Sequence, residues 1–106
     1  MTPEKLLAEP DTFDGREVEV VGYFVFEREN VAVYTSASET ENGSGIWLGN
    51  ASLPQNKAKH LSKSVVVIRG VFHCKGKSGF GHFGMWPAEL RGVSFFELQP
   101  ESGKGS

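Results

Sequence analysis

Two stretches constrain this chain more than any others: Val18–Phe26 (VEVVGYFVF) and Val65–Phe72 (VVVIRGVF). Both are dominated by β-branched and aromatic residues, the composition of a pleated, half-buried strand. Both carry the pattern apolar-x-Gly-x-Phe, as Val20, Gly22, Phe24 and again as Ile68, Gly70, Phe72. Side chains alternate faces along a strand. In the first stretch, Val18, Val20, Phe24 and Phe26 therefore share an inner face with Gly22. The outer face begins wet, at Glu17 and Glu19, and ends apolar, at Val21, Tyr23 and Val25. A glycine inside a strand marks a bulge, a bend or a close backbone approach. Repeated in two strands, it suits the corners of a small barrel better than a flat sandwich.

The remaining elements fall around this pair. Thr2 can cap a short helix with Pro3 at its first position and Leu6 and Leu7 on its buried side, and Pro10 ends it. Asp11–Gly15 reads as a turn with Phe13 packed inward. Val31–Thr35 and Gly45–Gly49 are short strands, separated by the polar loop Ser36–Ser44. Asn50–Ser62 has no β-branched residue and places Ala58 and Leu61 at helical spacing, so a short helix is expected there. Ser64–His73 is the fourth strand. Cys74–Gly84 is a glycine-rich loop, Met85–Gly92 a turn that packs Trp86 and Leu90 inward, and Val93–Leu98 the fifth strand. Residues 1–99 make one domain, and 100–106 a disordered tail.

Five strands, with one helix leading and another between strands three and four, make an all-β, OB-fold-like barrel. The opening, with Leu7, Pro10, Phe13, Gly15-Arg16, Val18, Val20 and Gly22, resembles small bacterial OB-fold domains of the tRNA-anticodon-binding-like type. Gly70-x-Phe72 and Leu90–Val93 fit the same pattern. The resemblance implies a scaffold that carries many activities.

Charge is distributed unevenly. The net charge is −2, but residues 1–53 hold ten acids and three bases, whereas 54–106 hold three acids and eight bases. Two differently charged faces follow. No apolar run reaches the ~20 residues of a membrane span, and the N-terminus has no apolar signal segment. A cytoplasmic protein is expected.

Chemical motifs are weak. Gly76-Lys77-Ser78 resembles the end of a phosphate-binding loop, but Val71 stands where the first glycine belongs and no helix follows. His73, Cys74 and His82 lack a fourth zinc ligand, with His60 on another element. Cys74, the only cysteine, is expected to be a small buried hydrophobe. No catalytic set converges, so we expect no enzyme, no metal and no cofactor.

Two binding readings stand. A protein or peptide partner, of the kind bound by an inhibitor or immunity protein, would meet the acidic strand edge Glu17, Glu19, Glu27 and Glu29. Alternatively, single-stranded DNA or RNA would use Lys75, Lys77, Phe80 and Phe83 between strands four and five, with Tyr34 and Trp47 as stacking platforms. The first reading is favoured because Glu27-Arg28-Glu29 is acidic and the second and third strands contain no Lys or Arg.

Overall fold

The structure, a computed structural model, describes residues 1–27, 30–38, 40, 45–48, 53–74 and 86–99. Among the described residues three short helices, α1 (Pro3–Ala8), α2 (Pro10–Phe13) and α3 (Gln55–Leu61), accompany five strands. The strands are β1 (Glu17–Glu27), β2 (Asn30–Tyr34), β3 (Ile46–Leu48), β4 (Ser64–His73) and β5 (Glu89–Leu98). They close in the order β1-β2-β3-β5-β4, all neighbours antiparallel except β3 and β5, which run parallel. With α3 between β3 and β4, this is the OB-fold arrangement.

β1 is shared by both halves of the barrel. Residues 17–24 pair with β4, from Glu17↔Val71 to Phe24↔Ser64, and residues 23–27 pair with β2. Gly22 lies where β1 passes from one partner to the other, and the register runs through it without a bulge. Its role is close approach: a Cβ there would sit 2.5 Å from the Tyr34 carbonyl oxygen and 2.7 Å from a Val33 methyl.

The inner faces supply the core. Val18, Val20 and Phe24 of β1 meet Val31 and Val33, Ile46 and Leu48, Val66, Ile68 and Phe72, and Leu90 and Phe96. The barrel ends are closed by Leu6 of α1 and by Ala58 and Leu61 of α3. The Thr2 hydroxyl accepts the Lys5 N–H, as a helix cap should. Pro10 does more than end α1: it starts α2, whose Phe13 packs partly against the core.

One element differs from expectation. Strand β5 begins at Glu89 and not at Val93, so Glu89–Gly92 is not a turn. Trp47 and Leu48 of β3 pair in parallel with Glu89 and Leu90, and this contact closes the barrel. Gly92 has φ +59° and lies in a bulge where the β4–β5 register jumps from Arg69↔Phe95 to Val71↔Arg91. The Pro87 and Gly92 that suggest a turn are an entry and an irregularity within one continuous strand.

Candidate functional site

Two outer faces of the barrel are candidates. The first belongs to β1, β2 and β3, where OB folds usually take their ligand. Alternation along β2 directs Val31 and Val33 inward and Ala32 and Tyr34 outward, yet all four are buried. What covers the outward pair is a second apolar cluster, Val25, Ala32, Tyr34 and Trp86, with Tyr23 and Trp47 half-buried beside it.

Trp86 comes from the connection before β5 and lies over this face. Its ring sits 4.8 Å from that of Trp47, tilted by 54°. Its indole N–H donates to the Tyr34 hydroxyl at 3.3 Å, and that hydroxyl donates to Asn30 Oδ1 at 2.8 Å. Gly45 lies against the Tyr34 ring, where any Cβ would come within 2.4 Å of it. Tyr34, expected as a stacking platform, thus has no exposed surface, and Trp47 keeps only part of its own. A cleft of about 150 Å³ remains beside them, bordered by Tyr23, Val25, Glu27, Asn30 and Lys63. That is below the ~300 Å³ at which small-molecule sites usually begin, and it suits a single side chain.

Burial of the Tyr34 hydroxyl raises its pKa above the ordinary value of 10.0, partly offset by the bonds to Trp86 and Asn30. The sign of the linkage follows. The raised pKa contributes stability that is complete below pH 10 and is lost as pH rises through the folded-state value. We expect denaturation midpoints measured from pH 9 upward to fall above pH 10, and Tyr34→Phe to remove this part of the fall.

The second face is formed by the first half of β1 with β4 and β5. Pairing Glu19 with Arg69, Val21 with Val67 and Tyr23 with Val65 lines these side chains up on the outside. Phe95 and Glu97 of β5 extend the rows beside Arg69 and Val67. Val65 is 45% exposed and Phe95 39%. The Arg69 guanidinium bonds Glu19 at 2.7 Å and lies 5.3 Å from the centre of the Phe95 ring. Ser94 donates its hydroxyl to Glu17 at 3.1 Å, and Lys57 of α3 pairs with Glu97. Exposed apolar groups are therefore ringed by charges.

The expected acidic edge is divided by this geometry. Glu17 and Glu19 share the second face, whereas Glu27 lies at the far end of β1, 3.8 Å from Lys63. Glu29, Lys75, Lys77, Phe80 and Phe83 lie outside the described residues, as does His82. Among the described residues no three His, Cys, Asp or Glu side chains group as a metal would need. The Cys74 N–H donates to Asp14 Oδ1 at 2.9 Å, and its half-buried thiol lies 3.9 Å from Asp11. Among the described residues no helix is long and apolar enough to cross a membrane.

Val65, Arg69, Ser94 and Phe95 are absent from the sites expected from sequence. A signal for one of them exists: Phe95 and Phe96 are adjacent in a strand, so they point to opposite faces and one must leave the core.

No family model and no curated protein matches the chain. Among solved structures, it is similar to the OBody AM3L15 bound to hen egg-white lysozyme. The identity is 18% and the TM-score 0.49, over 93% of this chain and 87% of that one.

Proposed function

We propose that this chain is a non-catalytic OB-fold binding module whose partner is a protein or peptide. The observation that supports this reading is the second face, where Val65, Phe95 and half-buried Val67 stand uncovered within a ring of Glu17, Glu19, Arg69 and Glu97. An apolar, aromatic centre with a charged rim is the anatomy of a protein interface. Phenylalanine also supplies large contact area and specific ring geometry. Its finer form is an inhibitor or immunity-type protein that blocks a basic surface, supported by the excess of acids in residues 1–53. The likeness of the opening segment to bacterial domains of the tRNA-anticodon-binding-like type belongs to this reading as scaffold.

The alternative, single-stranded nucleic acid, draws on the basic and aromatic stretch Lys75–Phe83. Against it, Tyr34 is covered, and neither β2 nor β3 offers a cation to phosphate. Affinity capture from the source lysate, with mass spectrometry and with and without nuclease, separates the two readings. We expect nuclease-resistant protein whose recovery falls with Phe95→Ala. Fluorescence anisotropy with mixed-sequence DNA and RNA should give dissociation constants no tighter than the ~10⁻⁴–10⁻⁶ M of non-specific association. Submicromolar binding abolished by Lys77→Ala and Phe80→Ala would replace this reading with the alternative.

A further inference from the structure

We propose that the protein partner sets a lysine or arginine side chain against Glu17 while its apolar groups cover Val65, Val67 and Phe95. This inference rests on the protein-binding reading and adds the chemistry that the partner carries and the residue that receives it.

The charges around the second face are matched, with one exception. Arg69 bonds Glu19 at 2.7 Å, Lys57 pairs with Glu97, and near the start of β5 Arg91 bonds Glu89 at 2.6 Å. Glu17 is the exception. It is exposed, and it shares the outer side of β1 with Glu19, two residues away. Its Oε2 accepts the Ser94 hydroxyl at 3.1 Å. Among the described residues no lysine or arginine forms an ion pair with it, and its Oε1 accepts no hydrogen bond. Arg69 is held elsewhere, by Glu19 and by the Phe95 ring, whose centre is 5.3 Å from the guanidinium carbon.

The partner's chemistry follows from what covering this face would do. A matched pair takes its counter-charge into the interface with it. A lone carboxylate loses hydration there and recovers the loss when the partner supplies a cation. A neutral or acidic surface laid over Val65, Val67 and Phe95 would leave Glu17 unmatched. The Ser94 hydroxyl already steadies the carboxylate, so a cation that meets it orders less side chain. Glu17 stands opposite Val71, and Val67 is four residues from Val71 on β4. At about 3.3 Å per residue, the partner's cation and the apolar group it sets over Val67 are about 13 Å apart.

The test is selection of a displayed random-peptide library on the purified full chain, followed by surface plasmon resonance with the selected peptides. Glu17→Gln keeps the shape of the side chain and an acceptor for Ser94 and removes the charge; thermal unfolding checks its fold. Selected peptides should carry lysine or arginine beside apolar residues. At low salt they should bind Glu17→Gln about tenfold more weakly than the parent, a difference that shrinks as salt is added. Each basic residue of a peptide is then replaced by glutamine. One such change should weaken binding to the parent and leave binding to Glu17→Gln nearly unchanged, as a direct pair requires. The peptide series and the salt dependence on the unaltered chain stand even if Glu17→Gln fails to fold. Peptides that depend on Phe95 but bind the parent and Glu17→Gln alike would overturn the cation at Glu17 and leave the protein-binding reading intact. Additive losses, or selected peptides without a basic residue, would overturn it too. Enrichment of no peptide would also count against it, and lysate capture dependent on Phe95 would judge the broader reading separately. Dimerisation in sedimentation, weakened by Glu17→Gln, would assign the face to a second copy and overturn the partner.

Discussion

Phe24→Ala is expected to lower the free energy of unfolding by about 3–5 kcal/mol, the range for deleting a core phenylalanine ring. Phe24 has no exposed surface and packs edge-on against Phe96, with ring centres 5.0 Å apart. It also sits at the overlap of two pairings, opposite Val33 on β2 and Ser64 on β4. The cavity would open between strands held in register by the same backbone, so collapse could not fill it. Domains of this size have about 5–15 kcal/mol in total, so the loss is a large share of it. Urea titration followed by fluorescence measures it. A loss under about 1 kcal/mol would mean that the ring does not occupy the core.

Gly22→Ala comes second. The added methyl would meet a backbone carbonyl at 2.5 Å, and a methyl of Val33 and Cδ of Pro3 stand nearby. A flexible side chain could swing away, but the Tyr34 carbonyl is fixed at the end of β2 next to the Tyr23↔Tyr34 pair. Relief requires β1 and β2 to separate locally. We expect a loss of about 3 kcal/mol, at the upper end of ordinary overpacking, with amide exchange accelerating first in β2. A denaturation curve matching that of the parent would show that the approach is looser than these distances.

Much of this architecture is legible in the residues. The period of two in Val18–Phe26, interrupted by Gly22, places β1 correctly, with its outer face wet at Glu17 and covered at Val25. The absence of β-branched residues and the spacing of Ala58 and Leu61 place α3. What alternation cannot supply is a second layer. It directs Tyr34 outward, and outward ordinarily means solvent. The residue that covers it, Trp86, is 52 positions away in the chain. The beginning of β5 is obscured for a related reason. Proline and glycine signal a turn locally, but the parallel pairing of Glu89 and Leu90 with β3 is a long-range contact that overrides them. The acidic residues of β1 are legible as charges, whereas their division between two ends of the strand appears only with Arg69 and Lys63 in place.

The short parallel contact between β3 and β5 bears on how the molecule is assembled. Folding rates fall as contacts join residues farther apart in sequence. β1 joins β4 between Glu17 and Val71, and among the described residues β3 meets β5 at Glu89 and Leu90. During synthesis β1, β2 and β3 can form a meander as they emerge, and β4 can add to the free side of β1. Until β5 is available, that partial sheet ends in two unpaired strands, β3 and β4. A nascent chain released or stalled before Glu89 would expose both to neighbouring chains, so the hazard of misassembly is concentrated in the interval before the last strand arrives.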